Sequence, residues 1–312
     1  MEKRLLWQEV ILESEKVSLI VFVEELIDKL LIETARVLAL RGANVIMAWR
    51  DTKKMEKAIK ELQEVNSNLK LSGIPLDLGD SKSIDDFVTE FEKLNLPLHT
   101  LVNNAGVMAV PEKWKTKDGF EYQIGINHFG HFRLTMKLLP LMVKTIKDQN
   151  LDESRIVNVS STAHTMGSKK INYDDIHWEK SYDSIGSYAQ SKLANILFTK
   201  ELNRKLENLK IPITVNCLHP GVIKTDLARD MNKTLSFLFY TLGYAFMKSI
   251  PQGAATNVYA AVHPELKGKG GLYFSDCNED TPIAYARDEN EQKKFFDLSE
   301  KETGTYFPKF EE

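Results

Sequence analysis

His99-Thr-Leu-Val-Asn-Asn-Ala-Gly106 is a short apolar run that ends in a small, amide-rich segment. A run of this length suits a strand buried on both faces, and the Asn-Asn-Ala-Gly that follows lets a backbone and a ligand approach closely. Five more runs of the same kind occupy residues 44–48, 69–76, 155–160, 213–218 and 271–274. Helix-period stretches separate them, which is the signature of a parallel sheet covered on both faces. The expectation is a single-domain, doubly wound α/β fold. Gly42 is placed to close a helix over 33–41, and Asp80/Ser81 to cap one over 84–94. Ligands in such sheets gather at the carboxyl ends of strands, where strand order reverses. The loops of interest are therefore Asn103-Asn-Ala-Gly106, Ser160-Ser161 and His219-Pro-Gly-Val222.

A helix predicted over 185–209 carries Tyr188-Ala-Gln-Ser-Lys192. Residues four apart share a helix face, so the phenol and the ammonium project side by side. A neighbouring cation favours phenolate, which makes the pair a proton donor and acceptor at neutral pH. The spacing alone also arises by chance in many helices, so the rest of the chain must carry the case.

Composition bounds the function. The chain has 312 residues, 41 basic and 44 acidic, for a net charge of −3. No global field selects nucleic acid or an anionic membrane. Two cysteines, Cys217 and Cys277, without a CxxC or Cys/His cluster, suggest neither a disulfide framework nor a structural metal. The apolar stretch 17–23 is too short to span a membrane, and 1–14 carries acids unlike a secretory signal. A cytoplasmic chain is expected, membrane-associated at most. The sequons at Asn158 and Asn232 are read as unglycosylated, the first because it lies in a buried strand.

Asn103-Asn-Ala-Gly106, Asn127, Ser161, Tyr188-x-x-x-Lys192 and Pro220-Gly221, in this order and spacing, resemble a short-chain dehydrogenase/reductase. His219-Pro-Gly, Gly271-Leu-Tyr-Phe-Ser-Asp-Cys277 and Phe296-Asp-Leu-Ser-Glu300 narrow the resemblance to the retinol dehydrogenase group. That resemblance implies a Rossmann-like fold, NADP(H), and a lipophilic alcohol with its aldehyde or ketone. It makes Tyr188 the acid/base, Lys192 the holder of the nicotinamide ribose, Ser161 rather than Ser160 the group on the substrate oxygen, and Asn127 the positioner of a relay water. It places Asp77 at the adenine, Asn104 beside the cofactor, and Val222 and Thr225 at the nicotinamide-side turn. Arg50, after the strand at 44–48, suits a 2′-phosphate, while Asp51 argues mildly for NAD. His128, His131, His164 and His219 are expected to be packing or surface residues.

One family feature is absent. Counting back from Glu33, the positions of the Thr-Gly-x-x-x-Gly-x-Gly phosphate turn are Glu24 to Leu31, and Gly42 is the first glycine in the chain. Residues 1–32 are therefore expected to be an atypical segment replacing the first strand and the glycine turn, with helix from near Glu24, and 33–312 the remainder of the domain. Weak NADP(H) binding follows, since side chains and acids meet the phosphates. The alternatives are a cofactor-free scaffold of the same fold, or a misassigned N-terminal exon on an active enzyme. The apolar stretch 231–250 is expected to cover the substrate or touch a membrane surface. A homo-oligomer is left open.

Overall fold

The computed structural model describes the backbone of residues 18–23 and the chain over 28–223 and 247–310, with side chains from residue 29 onward. Eight strands form one sheet in the order β3-β2-β1-β4-β5-β6-β7-β8. They are β1 (Ser18–Val23), β2 (Asn44–Trp49), β3 (Leu71–Pro75), β4 (Thr100–Asn103), β5 (Ser154–Val159), β6 (Ile213–His219), β7 (Tyr273–Ser275) and β8 (Asn278–Asp280). All pairings are parallel except β7 with β8. The order reverses between β1 and β4, which sets the switch point at their carboxyl ends.

The helices are α1 (Asp28–Leu40), α2 (Thr52–Val65), α3 (Ser81–Lys93), the one-turn α4 (Tyr122–Ile124), α5 (His131–Gln149), α6 (Ser184–Asn208), α7 (Ile250–Val262) and α8 (Glu289–Thr303). Their ends follow the expected chemistry. Gly42 takes φ 91° after α1, a backbone that glycine adopts without a Cβ penalty. The Asp80 carboxylate accepts from the Lys82 and Ser83 amides at the start of α3. Ser249 and Gln252 close a reciprocal capping box on α7. β2, β4, β5 and β6 are buried along almost their whole length, because helices cover both faces. One core layer joins Ile46, Leu101, Ile156 and Val215 to α3, α5 and α6; the other joins Val45, Met47, Val102 and Val157 to α1, α2 and α7.

One expectation is corrected. Residues 1–32 do not replace the first strand: Ser18–Val23 runs parallel between β2 and β4, with Ile20 opposite Ile46 and Leu101. Its Leu-Ile-Val-Phe-Val is β-branched and aromatic, the composition that favours a strand. α1 is described from Asp28, and residues 24–27, where helix was expected from near Glu24, lie outside the described residues. Of the eight positions counted back as the family turn, residues 24–31, none is glycine, and the last four belong to α1. Asn127 sits in a π-helical turn, Gly125–Gly130, leading into α5. Such turns often mark functional positions because they re-aim side chains.

Candidate active site

Asn127 is the hub of the polar contacts at the end of β4. Its Oδ1 accepts from the Val107 amide at 2.8 Å, and its Nδ2 donates to the Val107 carbonyl and to Ser191 Oγ, both at 2.9 Å. Ser191 Oγ in turn donates to the Tyr188 carbonyl at 2.7 Å. The π turn is therefore tied to the loop after β4 and to α6 through one amide. Gly106 is required beside it: a Cβ there would lie 3.1 Å from Lys192 Nζ and 3.2 Å from Asn127 Oδ1.

Tyr188 and Lys192 lie on one face of α6 and are fully buried in the site. Lys192 Nζ donates to the Val159 carbonyl at 3.1 Å and sits 5.7 Å from the Tyr188 ring centroid. Asn195 Nδ2 donates to the same carbonyl at 3.1 Å. Burial pushes Tyr188 up to about 12, against a smaller lowering by its hydrogen bond with Ser161. Burial brings Lys192 down to about 7. The depressed phenol expected from the neighbouring ammonium is thus reversed, because desolvation of both groups outweighs their attraction. Ser160 and Ser161 separate by role of place. Ser160 Oγ donates to the Lys192 carbonyl at 2.7 Å, whereas Ser161 faces the Tyr188 phenol and accepts from the Ala163 amide at 3.1 Å.

The other expected site residues sit around this centre. Asn104 Oδ1 accepts from Asn257 Nδ2 at 2.9 Å, and that nitrogen also reaches Thr34 Oγ1 at 3.3 Å. Asn257 of α7 was not legible in sequence; it joins α7, α1 and the loop after β4. Arg50 follows β2 and donates to the Tyr122 hydroxyl at 3.1 Å. Asp51 is engaged in capping α2 through the Lys54 amide, which removes the acid that argued for NAD. The Asp77 carboxylate accepts from the Gly79 amide at 2.9 Å and lies 3.6 Å from Lys117 Nζ. Val222 is exposed beside Gly221, whose φ is 98°. Thr225 and residues 231–246 of the apolar stretch lie outside the described residues.

The histidines divide. His128 packs among Phe129, Phe132, Phe198 and Phe295 and contacts Ser299 Oγ at 2.8 Å. Burial brings His128 and His131 down to about 3, so both are neutral. Asn158 is buried and bonds Asn103 and Thr199 across the sheet, which leaves no room for a glycan. Among the described residues no helix is long and apolar enough to cross a membrane.

A nicotinamide cofactor fits one end of this site. The Gly106 backbone, Lys192 and Asn104 line the carboxyl end of β4, and Arg50 follows the carboxyl end of β2. The diphosphate end fits less well. Leu30 and Leu31 at the start of α1 are wholly buried, and Leu30 would contact a Cβ added to Gly253 of α7.

The sequence profile of the short chain dehydrogenase family matches residues 32–174 and 176–236. The chain is 42% identical over 269 residues to short-chain dehydrogenase TIC 32 B, chloroplastic, of Brassica napus, covering 86% of this chain and 83% of that protein. It is 40% identical over 282 residues to human retinol dehydrogenase 14, covering 86% and 81%. A crystal structure of an uncharacterized protein from Mycobacterium paratuberculosis superposes with a TM-score of 0.71 at 34% identity, covering 94% of this chain and 95% of that one. The fold, the site and these likenesses place the chain in the short-chain dehydrogenase family of oxidoreductases, within its retinol dehydrogenase-like group.

Proposed function

We propose that the chain interconverts a lipophilic alcohol and its aldehyde or ketone with NADP(H). The observation that carries the reading is the meeting of Tyr188, Ser161, Lys192 and Asn127 at the switch point of the sheet. The retinol named for one relative is itself a lipophilic alcohol, which supports the substrate class. Arg50 at the end of β2, with Asp51 withdrawn into a cap, supports NADP(H) over NAD(H).

Bound NADP(H) supplies or accepts the hydride; the chain's own residues handle the oxygen. Tyr188, held up at about 12, is a protonated phenol at neutral pH and donates to the oxygen of a carbonyl as it is reduced. Ser161, already hydrogen-bonded to that phenol, holds the same oxygen and aligns it. Lys192 brings a cation or a neutral amine near pH 7 to the Val159 carbonyl and the ribose side. Asn127 fixes the loop after β4, so that Gly106 leaves room beside Lys192.

Cofactor binding is the weak part of the site. Residues 24–31 include no glycine and carry Glu24, Glu25 and Asp28. A like-charge contact at ~4 Å with an effective dielectric of ~20 costs about 4 kcal/mol, roughly a thousandfold in affinity. This same feature favours a second reading, a scaffold that keeps the fold without the cofactor. Tyr188→Phe decides between them. An enzyme loses about 10²-fold or more in kcat with the fold intact, because the ring still packs. Unchanged turnover in the variant would remove Tyr188 from the chemistry.

A further inference from the structure

Among the described residues, three buried polar atoms on the α6 face of the sheet have no hydrogen-bond partner: His164 Nε2, His219 Nδ1 and the Tyr273 hydroxyl. Their residues are 3%, 8% and 2% exposed. Buried polar groups are nearly always paired, so three orphans close together point to a group that arrives from outside the chain. They are close. The His164 and Tyr273 rings meet edge to face with centroids 5.2 Å apart. Tyr273 pairs in register with Cys217 and Ser275 with His219, so Tyr273 and His219 project from neighbouring strands onto one face. The His219 imidazole is within electrostatic reach of Lys248, His164, Lys192 and Asp280, and Asp280 also acts on His164 and Tyr273.

Their chemistry is defined. His164 Nδ1 lies 2.6 Å from the Ser161 carbonyl, which can only accept, so Nδ1 carries the hydrogen and Nε2 presents a lone pair. The Tyr273 hydroxyl can donate or accept. Burial lowers both imidazoles, His219 to about 4, so the cluster carries no charge at neutral pH. An acceptor beside a phenol is complementary to a hydroxyl, which needs one of each. The bond from His164 to the Ser161 carbonyl sets the cluster next to the group that faces the Tyr188 phenol.

We propose that His164, His219 and Tyr273 form an uncharged subsite for a second oxygen, a hydroxyl, borne by the substrate beyond its reacting carbon. The subsite rests on the lipophilic-alcohol reading and refines it to a bifunctional substrate. It makes Tyr273 and His164 specificity determinants, with no part in the hydride step.

Equilibrium binding of 1-decanol and of decanediols with a second hydroxyl further along the chain tests this on the full chain, without cofactor. One diol is expected to bind about tenfold more tightly than decanol, the worth of one to two neutral hydrogen bonds. Tyr273→Phe should erase that gain while leaving decanol binding and Tm unchanged or Tm raised, since the hydroxyl it removes has no partner. His164→Asn, which keeps a donor for the Ser161 carbonyl and deletes the Nε2 acceptor, should reduce the gain in the same way. If decanol binds and no diol binds better, or the gain survives in Tyr273→Phe, the subsite is refuted and the lipophilic reading stands. If neither decanol nor any diol binds, both fall. A drop in Tm for Tyr273→Phe would show that the hydroxyl holds the fold, and would also refute the subsite.

Discussion

Replacing Asn127 by alanine removes three hydrogen bonds at once, two of them to the backbone of Val107 and one to Ser191. Val107 is buried, as are Ala105 and Ala109 around it. An orphaned buried donor costs about 1–3 kcal/mol, and each further bond lost about 1 kcal/mol. The sum is about 3–5 kcal/mol, well above the usual effect of a point substitution. Equilibrium urea unfolding of Asn127→Ala against the parent chain measures it, with an unchanged m-value as the sign that only the native state was altered. A loss below about 1 kcal/mol in Asn127→Ala would show that the amide is not the tie between the π turn and the loop after β4.

Stability should rise with pH through the neutral and mildly alkaline range. Lys192 is lowered from 10.5 to about 7, so above pH 7 the unfolded chain holds a proton that the folded chain has shed; the sign is positive and the slope approaches about 1.4 kcal/mol per pH unit until about pH 10. Tyr188, raised from 10.0 to about 12, acts oppositely and lowers stability above pH 10, where the unfolded phenol ionises first. Urea midpoints of the parent chain and Lys192→Met across pH 6–10 should diverge by this slope, and parallel curves would contradict it. Arg50→Ala should weaken NADPH about tenfold or more while leaving NADH little changed, measured by cofactor fluorescence titration; equal losses for both would remove Arg50 as the selector.

Most of the sheet was legible from β-rich runs and their spacing. β2 through β7 lie within a few residues of the runs that predicted them, because a strand buried on both faces leaves a continuous apolar signature. β1 carries the same signature in Leu19-Ile-Val-Phe-Val23, but it is normally recognised by the glycine turn behind it, and here acids follow instead. β8 is Asn-Glu-Asp, polar and exposed at an edge, and has no apolar pattern to read. The π turn at Asn127 was hidden for a different reason, since a hydrogen bond to the fifth residue rather than the fourth leaves no mark on side-chain periodicity. In the site, Tyr188, Lys192, Ser161 and Asn127 came from motif spacing, and the structure brings them together. Asn257, His164, His219 and Tyr273 were missed as participants because their partners lie far away in sequence and only the fold shows which polar atoms are buried without one. The Tyr188 shift was misjudged because a neighbouring charge is visible in sequence and burial is not.

We propose that the chain holds an assembled oxygen-handling site but, lacking the family's glycines over residues 24–31, binds NADP(H) weakly. Titration of NADPH into the purified chain, alongside a variant with the family's glycine turn over residues 24–31, tests it most directly. The account predicts binding weaker than micromolar for the chain and a gain of about a hundredfold or more for the variant. Micromolar binding by the unmodified chain, or no gain in the variant, would contradict it.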